Sequence, residues 1–147
     1  MAKSYFSTVF ERNADDIWSV VRDFGNYEWA GVAAQTSIEG ARHGDAVGAV
    51  RQVRMPDRTL RQRLLAHSDL DRSYTYELCE PTPFAVRGYE ATLRITPVVD
   101  GARAFVEWWA TFECTPDEAQ RWTAYFRDEG FAKWLGSLRS YLERSRA

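Results

Sequence analysis

Apolar and polar positions alternate through most of the middle of this chain and fall at helical spacing towards its two ends. In SYFSTVF (residues 4–10) the alternation predicts a first strand. ERNADDIW follows, with Asn13 as N-cap and Asp15 and Asp16 in the first turn, where acidic side chains suit the positive end of a helix. The helix over DDIWSVVRDF buries Ile17, Trp18 and Val21, with Phe24 at its end; Gly25 and Asn26 break it, and NYEWAGVA predicts a second, shorter helix. After a short TSIEG segment come AVGAVRQVRM (46–55), RTLRQRLLAHS (58–68), SYTYEL (73–78), VRGYEATLRIT (86–96) and ARAFVEWWATFEC (102–114), each bounded by Gly, Pro, Asp or Ser. Five such runs at hairpin spacing predict a meandering antiparallel sheet rather than parallel units with crossover helices. In the last run the period of two sets Trp108 with Val106, Ala110 and Phe112 on one face, and Trp109 with Glu107, Thr111 and Glu113 on the other.

CTPDEAQRW opens a helix: Thr115 as N-cap, Pro116 at the first helical position and Glu118 placed for a capping box. The helix is expected to run to about Arg144. Phe131, Leu135, Leu138 and Leu142 form one stripe with Trp134 and Tyr141 at its edge, whereas Trp122 and Phe126 lie well round the cylinder. Gly130 sits at the change of face, which predicts a bend or rotation, the later half packed on the sheet and the earlier half partly free. One long helix does not fill the concavity of a curved sheet, so a cavity lined by inward strand positions is expected.

At 147 residues the chain is expected to form a single domain, 1–147, able to fold without staples. Its 14% aromatic content raises the weight of an apolar pocket. A net charge of −2 with no basic run argues against nucleic acid as a partner. MAKSYFSTVF is neither a secretory signal nor a membrane span, so a cytoplasmic location is the default expectation. Cys79 and Cys114 lack CxxC spacing and read as idle thiols; His43 lies in a Gly-flanked turn and His67 ends a strand. With no HExxH, GxSxG, GxGxxG or phosphate-cradling loop, no metal and no cofactor is expected.

The order strand, two short helices, run of strands, long C-terminal helix resembles the helix-grip fold of the START-like superfamily, which includes the birch-pollen allergen group. DIWSVVRDFGNYEWAG is similar to the first-helix signature of the polyketide cyclase/dehydrase and lipid-transport family. VGAVRQVRM, LRQRLLAHSDLDRSYTYEL, FAVRGYEATLRI and VEWWATF resemble the branch that also contains plant abscisic acid receptors. The resemblance covers essentially the whole chain and implies an α+β helix-grip fold: a curved antiparallel sheet of about seven strands wrapped on the C-terminal helix. Two departures stand out. RMPDRT lacks the glycine of the receptors' gate loop, which puts hormone-style gating in doubt, and Gln62 stands where that branch commonly has a glutamate, which removes a cavity carboxylate.

In the family the tryptophan four residues before a phenylalanine in the last strand faces the cavity, which here implies Trp108 with Phe112, and Trp109 on the convex face as a lone surface aromatic or a homodimer contact. Carrying the inward register along the strands gives a candidate lining of Val53 and Met55, then Gln62 and Leu64, Tyr74 and Tyr76, Tyr89, Ala91 and Leu93, and Trp108, Ala110 and Phe112, with Phe131, Trp134 and Leu135 from the helix. Plain core packing accounts for the aliphatic members; the tyrosines and Gln62 need hydrogen-bond partners that a wet or ligand-filled cavity supplies. Arg51 shares the face of Val53, and either receives a ligand anion or pairs at the sheet rim. The leading reading is binding or transport of an aromatic or lipid-like hydrophobic small molecule. The alternatives are a cyclase, aromatase or dehydratase using cavity tyrosines and Arg51, and an interaction module built on the convex face.

Overall fold

The computed structural model describes residues 1–31 and 35–144. Seven strands, β1 (Ala2–Phe10), β2 (Gln35–Ile38), β3 (Val50–Arg54), β4 (Thr59–Ser68), β5 (Ser73–Leu78), β6 (Arg87–Val98) and β7 (Arg103–Glu113), form one antiparallel sheet in the order β1-β7-β6-β5-β4-β3-β2. The meander read from the spacing of the runs is present, and the first strand closes it by pairing with the last. Register shifts between Leu64 and Ala66 and between Arg87 and Glu90 break the ladder and increase the sheet's curl. The expected run 46–55 is a strand only over Val50–Arg54, because Gly48 adopts φ +93° and residues 44–48 turn instead.

Helix α1 (Ala14–Val21) starts as expected, with the Asn13 side chain accepting from the Asp15 backbone N–H at 2.8 Å, and it buries Ile17, Trp18 and Val21. Phe24 is buried just beyond its end. The second short helix is a single 3-10 turn, Glu28–Ala30, closed by Gly31 in the left-handed region; Val32 and Ala33 of the expected segment lie outside the described residues. This turn drops Tyr27 and Trp29 into the concavity, where the Trp29 ring lies 5.9 Å from Trp108 and Tyr27 lies 6.0 Å from Trp134.

The C-terminal helical stretch winds in four pieces: a 3-10 turn Pro116–Glu118, α2 (Ala119–Tyr125), a π-helical turn Phe126–Phe131, and α3 (Ala132–Arg144). Two expectations change here. Thr115 makes no side-chain cap and the capping box does not form, since the first turn is 3-10 and Glu118 instead accepts from Arg121 at 3.1 Å. The rotation expected at Gly130 is present as the π turn, and it brings the earlier half round onto the packed side, so that half is not free: Trp122 and Phe126 are buried against Phe84, Phe126 also against Tyr89 and Phe112.

Candidate functional site

The inward positions that the resemblance implies are buried: Val53, Gln62, Leu64, Tyr74, Tyr76, Tyr89, Ala91, Leu93, Trp108, Ala110 and Phe112 from the strands, and Phe131 and Leu135 from the helix, with Met55 and Trp134 half-buried. They separate into two zones. Towards β6 and β7 the space is packed with rings: Trp108 stacks on Phe131 at 5.2 Å and meets Trp29 and Trp134, while Tyr74 and Tyr76 pack on Phe24. Towards the β3–β4 hairpin the helix stands off the sheet and leaves a cavity of about 320 Å³. Met55, Gln62, Tyr89 and Trp134 line it; the other strand and helix candidates lie in the packed zone.

The remaining walls come from residues outside the expected lining. Leu60 shares a face with Gln62 two positions on, and Leu78 shares one with Tyr76, so both were accessible from the period of two. Phe126 was visible only as a residue off the helical stripe. Phe84 sits in the irregular 79–86 connection, and no periodicity marks it. Its ring contacts Trp122, Tyr125 and Phe126 and closes one side of the cavity. The mouth carries charge: Asp57 and Arg58 from the hairpin, which pair at 3.1 Å, and Glu129 and Lys133 one helical turn apart. The Arg58 guanidinium also lies 5.3 Å from the Phe84 ring, tying hairpin to connection, and it holds the Asp57 carboxyl below the usual carboxylate range.

Arg51 lies behind the cavity wall and is fully buried. Its Nε donates to Gln62 Oε1 at 2.6 Å and one Nη to the Phe24 carbonyl at 3.3 Å, and the guanidinium is sandwiched between the Phe24 and Tyr27 rings at 3.9 and 4.0 Å. Among the described residues the second Nη has no hydrogen-bond partner, and neither do the buried hydroxyls of Tyr27 and Tyr74. A cation held this way is stabilised by ring faces in place of a carboxylate. Beside it, burial pushes the Tyr76 phenol well up, against the opposing influence of Arg51, and pushes Tyr89 well up too, with Tyr76 adding to the effect. The tyrosines of this region therefore stay protonated at neutral pH and act as hydrogen-bond donors or acceptors.

On the convex face Trp109 is half-buried, its ring stacked on Tyr5 of β1 at 6.5 Å with Lys3 Nζ 5.7 Å above it. Tyr5 in turn donates to Glu107 at 2.6 Å, so the two adjacent tryptophans serve different faces, one in the ring cluster and one under a cross-strand cover. Cys79 is buried and Cys114 half-buried, both free. No helix among the described residues is long and apolar enough to cross a membrane.

Solved structures with this architecture include a protein from Thermobifida fusca, 27% identical, with a TM-score of 0.87 over 98% of this chain and 95% of that one. A protein from Nitrosospira multiformis is 24% identical, with a TM-score of 0.80 over 99% of both chains. Norcoclaurine synthase from Thalictrum flavum, in complex with dopamine and hydroxybenzaldehyde, has a TM-score of 0.76 at 14% identity over 97% of this chain and 86% of that one, a likeness of fold alone. No curated protein matches the chain at significant similarity. Residues 1–144 match one protein family along their whole length, which at family level supports binding of a hydrophobic ligand. The chain therefore belongs to the polyketide cyclase/dehydrase and lipid transport family.

Proposed function

We propose that this protein binds a small, largely apolar molecule of aromatic or lipid-like kind in the cavity between the β3–β4 hairpin and the C-terminal helix, and holds or carries it unchanged. The observation behind this reading is the cavity itself: about 320 Å³ walled by Met55, Leu60, Leu78, Phe84, Phe126 and Trp134, with Gln62 and Tyr89 as its inner polar groups. That volume is at the low end of small-molecule pockets, roughly 300–1,000 Å³, which suits a one- or two-ring ligand better than a full-length lipid. Affinity comes from apolar burial at about 25 cal/mol per Å². Val53, Leu64, Tyr74, Tyr76, Ala91, Trp108, Ala110, Phe112, Phe131 and Leu135 give the floor its rigidity, and Arg51 acts on the ligand through Gln62.

A cyclase or dehydratase needs a base beside the reacting carbon. Tyr76 and Tyr89 are held protonated by burial, and the cavity's carboxylates, Asp57 and Glu129, stand at the mouth. Binding without turnover is therefore the reading the chemistry favours. Native mass spectrometry of freshly purified protein, followed by titration with the apolar dye 1-anilinonaphthalene-8-sulfonate, tests it. A retained or titrated ligand at one per chain is expected, with Leu78→Trp, which fills the cavity, abolishing it. Dye binding that Leu78→Trp leaves unchanged places the ligand elsewhere and refutes the proposal.

A further inference from the structure

Of the two polar groups inside the cavity, Gln62 is the end of a directed hydrogen-bond relay and Tyr89 brings a phenol. An arginine side chain carries donors and no acceptor, so the atom of Gln62 that meets Arg51 Nε at 2.6 Å is the amide oxygen, and the amide's NH₂ is the end left for the cavity. The Gln62 side chain makes no other hydrogen bond among the described residues, and Gln62 lines the cavity while Arg51 does not. Tyr89 is the second polar group of the cavity wall, and its hydroxyl can donate as well as accept.

Resting on the binding reading above, we infer that the inner end of the cavity selects a ligand by an acceptor oxygen, a ketone, carboxylate or other carbonyl-type group, received jointly by the Gln62 amide NH₂ and the Tyr89 hydroxyl. The relay ends in a donor, and the Tyr89 phenol can supply another. A ligand that brings a donor, such as an ammonium, meets the Gln62 N–H and the field of the buried guanidinium behind it. A ligand that brings only hydrocarbon leaves the Gln62 NH₂ unpaired, which is the costly case for a polar pocket. Arg51 is a positioning residue here: it fixes which way Gln62 points. A glutamine free of Arg51 presents either end of its amide, so the selectivity depends on a side chain that the ligand never touches.

The test is a matched set of probes measured by isothermal titration calorimetry: 2-acetylnaphthalene, 2-isopropenylnaphthalene, in which C=CH₂ replaces C=O at the same shape, and 2-naphthylmethylammonium. The ketone is expected to bind at least roughly tenfold more tightly than the alkene, and the ammonium most weakly. In Gln62→Glu, which keeps an acceptor for Arg51 but turns an oxygen to the cavity, the ketone's advantage falls and the ammonium gains; in Tyr89→Phe the advantage falls without that gain. Equal binding of ketone and alkene to the unaltered protein overturns the acceptor inference while leaving the binding reading intact. Failure of every probe overturns the binding reading and this inference with it. A ketone advantage undiminished in both variants overturns the assignment to Gln62 and Tyr89.

Discussion

Replacing Arg51 measures how a permanent charge is tolerated inside this core. No ion pair among the described residues includes it. On the favourable side stand two ring faces at 3.9 and 4.0 Å, about 2 kcal/mol each when desolvated, and two charge-assisted hydrogen bonds at about 1.5–3 kcal/mol each, the 3.3 Å one at the weaker end. Against them stand a desolvation cost of several kcal/mol and an unpartnered Nη. The two sides nearly cancel, so Arg51→Met, which refills the volume without charge, is expected to change stability by less than about 2 kcal/mol. Gln62→Leu is expected to cost more, about 3 kcal/mol, because it removes the 2.6 Å acceptor and leaves the charge behind. At about 2–4 °C per kcal/mol for a chain of this size, that is a fall in Tm of roughly 6–12 °C. The double variant should recover part of the loss, since the stranded charge has gone. Urea unfolding followed by circular dichroism on the three variants decides it. If Arg51→Met proves less stable than Gln62→Leu, the guanidinium is a net stabiliser and the cancellation argued above is wrong.

Burial raises the phenols of Tyr27, Tyr74, Tyr76 and Tyr89, so their contribution to stability is complete below about pH 10 and is lost as the pH rises through their folded values. Ultraviolet titration should accordingly show these four of the seven tyrosines ionising only together with loss of far-ultraviolet circular dichroism; a single reversible step near pH 10 for all seven contradicts this. Asp69 has the opposite sign: Arg22 first, then Trp18 and His67, hold its carboxyl well below 3.8, so its contribution is present above about pH 4 and fades as the pH falls. Asp69→Asn should flatten the acid limb of the stability curve, and an acid limb identical to that of the parent protein counts against the role of this cluster. Gly130→Ala places a methyl 3.5 Å from the Trp134 ring, an ordinary contact, and should raise stability by about 0.5–1 kcal/mol in thermal melts while weakening dye binding in the cavity it lines.

The faces of the strands were legible because alternation is a geometric rule: from Arg51 and Val53 through to Phe112, parity sets which residues share a face, and the family resemblance at Trp108 and Phe112 says which face is inward. What parity does not give is how far the opposite wall stands from each position. Trp29 and Tyr27 decide that, and they arrive on a 3-10 turn too short to show a period, so the division into packed and hollow zones was not readable. Phe84 escaped for the same reason, sitting in a connection where neither a period of two nor one of 3.6 applies. The capping box failed because a sequence match at Thr115 and Glu118 presupposes an α-helical first turn, and that turn is 3-10. The Arg51–Gln62 bond joins residues directly opposite on β3 and β4, a register fixed by a hairpin whose loop length had to be known first.

The π turn at Phe126–Phe131 acts as a phase shifter in the screw of the last helix. Five α-helical steps of about 100° would set Phe131 roughly 140° round from Phe126; closing on the fifth residue brings both onto one side, so that Trp122, Phe126, Phe131, Leu135, Leu138 and Leu142 read as a continuous face. In effect the helix carries one residue more than its winding needs. Loss of a single residue from 127–129 would leave Phe126 and Phe131 in step along an unbroken α-helix. A one-residue change in length, at this point and not elsewhere in the helix, would thus keep the apolar face in phase while removing the turn that sets Gly130 in the cavity wall.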